Sequence, residues 1–291
     1  MENLVYHYTC LEALRGILRD RLFFWATRYD HLNDPSEQIW AESFVIDEVK
    51  NRMGYHEFSA TDIQAWLSKD SYIISLSRKR DSRNMWRLYC NDGHGVCLIL
   101  DRNELMQSAL KKMNNNFKDY YCIIEDVNYC SEDRVRNAID KCLNKKVFNI
   151  VEEEEASQWM RIVPFIKNKD FDVEHETRFA ILRDFEHISI DRDPTSEVIT
   201  TEIFTNNQDV KNRMRGNELI PFIEVDFPVS SLKGIILGYE VDENSANEYI
   251  TSLVKPYRDL YQIKIIPSEL FSTKRKNKYY NKEIARQSGT L

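Results

Sequence analysis

The sequence predicts an α+β domain of short, mostly non-consecutive strands with a helical insert near residues 131–167. Three observations lead there. The apolar runs are strand-length, such as Tyr72-Ile73-Ile74-Ser75-Leu76-Ser77 and Leu232 to Leu237. Helical spacing of apolar residues recurs between them, first at Leu11, Leu14, Ile17 and Leu18. Residues 131–167 lack Gly and carry Pro only at position 164. Strands and helices alternate without the regular βαβ rhythm of a parallel sheet.

Taken in order, Asn3 to Tyr8 is β-prone and reads as a first strand ending near His7. Cys10 to Arg19 follows as a short amphipathic helix, and Leu22 to Trp25 as a second strand. Asn33-Asp34-Pro35 marks a turn, and Pro35 opens a helix through Val49, because its fixed φ suits a first helical turn. Tyr72 to Ser77 is a strand; a polar loop and a short helix with Trp86 and Tyr89 come next. Gly95 to Leu100 and Cys122 to Tyr129 are further strands. In the helical block, Glu152 to Glu155 reads as a solvated face. Strand patterns return at Thr177 to Leu182, Leu219 to Phe227, Leu232 to Leu237 and Gln262 to Ile266, with a helix from Glu243 to Val254. The polar stretch from Asp184 to Asn217 reads as an irregular insertion. One domain over 1–272 is expected, followed by a basic tail at 273–291; from Lys274 onward the tail carries six basic residues and one acid.

Composition excludes several functions. Only 8 of 291 residues are Gly, where average usage of about 7% would give roughly twenty. GxGxxG and GxxxxGK[ST] loops concentrate glycines so that backbone can approach phosphates, and the nearest spacing here is Gly93-His94-Gly95. A Rossmann dehydrogenase and a P-loop NTPase are thereby set aside. A net charge of −7 argues against a general nucleic-acid coat, which needs a broad basic face. No apolar run approaches the roughly eighteen residues of a membrane span, and no secretory leader pattern opens the sequence. The six cysteines sit at irregular spacings without CxxC, so reduced thiols in a cytoplasmic protein are expected, with no metal.

Four constellations carry chemistry. Tyr6-His7-Tyr8-Thr9 places an imidazole and hydroxyls at a strand end; the plainer reading is a packed, hydrogen-bonded edge. Ser75 and Ser77 share one face of their strand. Trp86 and Tyr89, three apart on a helix, are either core or a stacking wall for a planar ring. Glu174-His175-Glu176-Thr177-Arg178 precedes an apolar strand; if extended, Glu174, Glu176 and Arg178 project together. One carboxylate held by Arg178 would leave the other as a fixed anion facing a pocket. HExxH fails, because Phe179 stands where the second His would be. Arg213-Met214-Arg215 either meets phosphates or lies in a solvated loop.

The segments VYHYTCLEALRGILRDRLFFWATRYDHLNDPSE, SYIISLSRKRDSRNMWRLYCNDGHGVCLIL, KNKDFDVEHETRFAIL and LKGIILGYEVDENS resemble bacterial domain-of-unknown-function family 2971. The opening also resembles ADP-ribosyltransferase-type domains, in which a strand ending in His and a hydroxyl residue precedes a Leu-x-x-Ile-Leu helix. That resemblance implies split, small-stranded sheets with flanking helices. It also implies NAD as substrate, ADP-ribosyl transfer or NAD glycohydrolysis, and a role as a toxin or anti-phage effector. Carried over residue by residue, His7, Tyr8 and Thr9 would bind the dinucleotide with Ser75, Ser77, Trp86, Tyr89 and Arg178. Glu176 and Glu174 would be the catalytic residues. Leu76 stands where one branch of the superfamily has Thr in a Ser-Thr-Ser strand, and the stretch from that strand to the Glu motif is long. The acceptor would be protein or nucleic acid, the latter steered by the basic tail. The rival expectation is a non-catalytic module of a defence system that senses a nucleotide or docks a partner.

Overall fold

The structure, a computed structural model, describes residues 3–19, 23–33, 35–53, 71–107, 120–145, 161–183, 188–192, 199–203, 210–226, 228–257, 260 and 263–270. Strand β1 (Leu4–Thr9) leads into helix α1 (Leu11–Arg19), then β2 (Phe23–Arg28), α2 (Pro35–Met53) and β3 (Ser71–Ser77). Helix α3 (Arg83–Tyr89) and strands β4 (Val96–Asp101), β5 (Tyr120–Asp126) and β6 (Asn128–Cys130) follow. Next come α4 (Val135–Leu143), β7 (Ile166–Asn168), β8 (Glu176–Arg183), β9 (Ile188–Arg192), β10 (Ile199–Ile203), β11 (Lys211–Arg215) and β12 (Glu218–Asp226). Strand β13 (Leu232–Leu237), helix α5 (Glu243–Val254) and strand β14 (Lys264–Pro267) complete the order.

The mixed α and β character expected from the sequence is present, but most strands share one large sheet, and only the pairs β6–β7 and β9–β10 form separate small sheets. Ten of them join one sheet in the order β11-β12-β2-β3-β1-β4-β13-β14, with β8 paired to β3 and β5 to β8. Only β13 and β14 pair in parallel within it. The sheet forks at β3. One edge of β3 pairs with β8 from Ser71 to Ser77. Its other edge is shared: β2 pairs at Tyr72 and Ile73, and β1 at Ser77. Between those contacts, Ile74, Ser75 and Leu76 face the gap where β1 and β2 part.

Side-chain alternation gives the two faces different cores. On one face, Val5, Leu98, Ile74 and Phe179 pack with Leu14 and Leu18 of α1 and with Ile250 and Val254 of α5. The opposite face carries two clusters. Ile73, Ala180 and Leu182 pack under Val45 of α2 and Ile139 of α4. Tyr6, Tyr8 and Cys97 pack under Met85 and Trp86 of α3. The fork lies where these two clusters part. The Gly93–Gly95 pair serves a backbone crossing: Gly238 donates its N–H to the Gly95 carbonyl at 2.9 Å, and a Cβ at Gly238 would press into the Gly93 carbonyl.

Several expectations change. Among the described residues of 131–167, α4 and residues 161–162 are helical, as expected, but the block ends in a short 3-10 turn (Val163–Phe165) followed by β7. Buried Val163, Pro164 and Phe165 serve the core there, not a continuing helix. The Glu152–Glu155 run and the basic tail lie outside the described residues. The Asp184–Asn217 stretch is not irregular throughout, since β9 and β10 pair with each other and β11 forms the outer strand of the large sheet. The Cys122–Tyr129 run is broken at Val127 into two strands.

Candidate functional site

A cavity of about 790 Å³ opens at the fork and is lined from both faces of the sheet. His7, Tyr8 and Thr9 of β1, Glu12 and Gly16 of α1, and Phe24, Trp25 and Thr27 of β2 line it on one side. Ser75, Tyr89, Lys167, Glu174, Glu176 and Arg178 form its floor, and Arg213 and Arg215 of β11 its far rim. The volume falls within the roughly 300–1,000 Å³ typical of small-ligand pockets.

His7 bridges the fork. Its Nδ1–H donates to the Ser75 carbonyl at 3.0 Å, satisfying a β3 backbone group at the unpaired stretch, and its ring meets Phe24 of β2 edge-on at 5.1 Å. Burial lowers its pKa, and the Ser75 bond only partly offsets this, so the neutral ring is favoured. With Nδ1 committed, Nε2 is left as an acceptor.

The floor is a buried ion cluster. Glu176 Oε1 accepts from Arg178 Nε at 2.9 Å, and Oε2 from Lys167 Nζ at 3.3 Å. The same Nζ donates to Glu174 Oε2 at 2.6 Å, and the Tyr89 hydroxyl donates to Glu174 Oε1 at 2.9 Å. Arg178 Nη1 also reaches the Pro164 carbonyl at 2.6 Å. Burial pushes the Glu176 carboxyl up, but Arg178, Lys167 and the Ser75 hydroxyl outweigh it and hold the pKa at about 2. Glu176 is therefore ionised across the neutral range.

The geometry differs from a single extended run. Glu174 ends a 3-10 segment (Lys169–Glu174), His175 takes a left-handed conformation at φ 45°, and β8 begins at Glu176. The kink still brings both carboxylates to one ammonium. Neither stays free beside an Arg178-bound partner, as expected from sequence, because Lys167 holds both. Ser77 and Trp86 do not line the cavity. Ser77 Oγ donates to the Glu174 carbonyl at 2.7 Å, supporting the floor from behind. Trp86 is fully buried, edge-on to Tyr8 at 5.0 Å, with Nε1 donating to Asp81. Tyr8 reaches the cavity wall, but its hydroxyl donates to the Lys79 carbonyl and accepts from Ser82 N–H. Lys167 and Trp25 were not singled out by sequence. The one signal for Lys167 is a cation directly after the apolar Val163-Pro164-Phe165-Ile166.

Residues 85–179 match the family model described as Protein of unknown function (DUF2971). The match covers about a third of the chain. The matched stretch runs from α3 into β8 and so contains the whole ion cluster, whereas His7, Ser75, Trp25 and the rim arginines lie outside it. No curated protein and no solved structure matches the chain. Among the described residues, no three or more His, Cys, Asp or Glu side chains group as a metal site, and no helix is long and apolar enough to cross a membrane. All six cysteines are free thiols, and four of them are buried.

Proposed function

We propose that the cavity binds NAD and cleaves its nicotinamide–ribose bond, transferring ADP-ribose to an acceptor or to water, as a bacterial cytoplasmic toxin or anti-phage effector would. The observation that carries this reading is the meeting of His7, Thr9, Ser75, Tyr89 and both glutamates around one cavity of ligand size. These are the positions carried over from the ADP-ribosyltransferase resemblance. In the reaction, nicotinamide leaves with the bonding electron pair, positive charge develops on the ribose, and the acceptor or water adds to that carbon and then loses a proton. A carboxylate with a pKa near 2 is a poor general base at neutral pH but a fixed anion toward such charge. Each Glu176 oxygen also keeps acceptor capacity beyond its bond to Lys167 or Arg178, enough for a ribose hydroxyl. His7 Nε2 supplies an acceptor at the other side of the fork.

One observation favours a second reading. Lys167 and Arg178 match the charges of Glu174 and Glu176, so the floor carries no net charge. A neutralised floor suits a module that binds a nucleotide without cleaving it. The test is nicotinamide release from NAD, with and without cell extract and nucleic acids, beside calorimetric NAD binding. Release by the protein and its loss in Glu176→Gln support transfer or hydrolysis. Binding without release selects the sensing module, and neither binding nor release overturns both.

A further inference from the structure

The charges on the cavity floor are balanced, whereas the rim holds a cation with no counter-charge among the described residues. Lys211, Arg213 and Arg215 alternate onto one face of β11, and the pairing of β11 with β12 and β12 with β2 puts Trp25 and Thr27 on that same face. The Arg213 guanidinium carbon lies 5.0 Å from the Trp25 ring centroid and 5.8 Å from that of Phe222. Its Nη2 donates to Thr27 Oγ1 at 2.9 Å. Arg213 is half-buried, and among the described residues no carboxylate lies within 4.0 Å of it; Lys211 and Arg215 each have one. Burial, then Arg215, lowers its pKa, which is the signature of a cation short of a partner.

Arg215 adds a second guanidinium two residues along. It donates to the His31 carbonyl at 3.0 Å, to Asn33 Oδ1 at 3.3 Å and to Glu218 Oε2 at 3.3 Å. Among the described residues, Glu218 is thus the single carboxylate paired to the two arginines, and it is exposed and shared with His31. Two arginines on one face of a strand, their Cα atoms roughly 7 Å apart, suit a group with more than one negative charge better than a lone carboxylate. The Trp25 indole, 45% exposed, fixes the Arg213 plane while leaving further N–H donors toward the cavity.

We propose that Arg213, with Arg215 beside it, forms a phosphate-binding subsite at the rim of the cavity that takes the phosphoryl or pyrophosphoryl group of a nucleotide. The nucleotide part of this assignment rests on the function proposed above; the anion part rests on the arginines alone. Calorimetry on the full chain with inorganic pyrophosphate, ADP and adenosine tests both parts. Pyrophosphate and ADP bind, more weakly as ionic strength rises, and ADP binds at least tenfold more tightly than adenosine. Arg213→Gln weakens ADP and pyrophosphate about 10- to 100-fold, as expected for losing hydrogen bonds to a charged group, and leaves adenosine unchanged. Arg213→Lys falls between. Arg215→Gln, outside the aromatic stack, repeats the test if Arg213→Gln loses its circular-dichroism signature of folding. Unchanged ADP and pyrophosphate affinity in both glutamine variants overturns the subsite, as does failure of either anion to bind. Pyrophosphate binding with no preference for ADP over adenosine overturns the nucleotide part. ADP binding without nicotinamide release from NAD overturns the cleavage reading and leaves the subsite standing.

Discussion

Lys167 is 1% exposed and touches both carboxylates of the floor. Removing water from four charges is expensive, and the return comes only while each keeps its partners. Lys167→Met leaves Glu174 and Glu176 buried with one fewer cation. It should cost about 3–5 kcal/mol in urea unfolding, the range for breaking a buried pair from one side. Adding Glu174→Gln to that variant should recover part of the loss, and the double-mutant cycle measures the coupling. A Lys167→Met cost below about 1 kcal/mol would show that the carboxylates find solvent, contrary to their burial. The carboxylates and Arg178 could be read in the sequence because they crowd into five residues before an apolar strand. Lys167 could not, since it comes from β7, and its own neighbours Ile166 and Asn168 do not distinguish a buried lysine from an exposed one.

The β11–β12 hairpin holds the rim arginines, and its turn is the element most open to a single change. Gly216 has φ 62°, and Asn217 is not among the residues with positive φ. Glycine in the first central position, and only there, is the pattern of a type II′ turn, whose twist matches that of the flanking strands. A Cβ at Gly216 meets nothing within 4 Å, so Gly216→Ala tests backbone strain alone. It should destabilise the hairpin by about 1–2 kcal/mol and speed hydrogen exchange at β11 and β12 amides, with β4 and β13 unaffected. Unchanged exchange in β11 and β12 would show that the turn conformation does not hold the hairpin. The interior strands were legible as apolar runs bounded by turns. Strand β11 was not, because Lys211-Asn212-Arg213-Met214-Arg215 has the charged character of an outer strand, which discourages pairing with other chains and erases the apolar signal. The block around β7 misled for the opposite reason: a short apolar core segment without Gly has no marker of where helix gives way to strand.

At the scale of the whole molecule, the cavity exists because two strands share one edge of β3. Periodicity shows which residues form strands and which face they present, but not that β1 and β2 both pair with β3 from the same side. His7 was therefore visible as a strand-end imidazole, while its place across the fork was not. That place couples the fork to pH. The folded His7 has a lowered pKa, so below about 6.5 the unfolded chain binds a proton that the folded chain resists, and stability falls with pH. Glu176 acts in the same direction lower down. Its carboxyl titrates near 4.5 when unfolded and at about 2 when folded, so its contribution is full above 4.5 and is lost as pH falls toward 2. That shift corresponds to roughly 3 kcal/mol. Unfolding free energies measured from pH 8 to pH 2.5 should therefore decline in two stages, the first beginning near 6.5 and the second near 4.5. His7→Asn keeps an N–H donor without a titrating ring and should shrink the first stage alone, leaving the part that comes from His175, whose pKa is lowered by burial and by Lys79 and Arg78. Glu176→Gln should flatten the second stage and leave the first in place. A wild-type profile that is level from pH 7 to pH 3 would mean that neither group is held in the protonation state its surroundings impose.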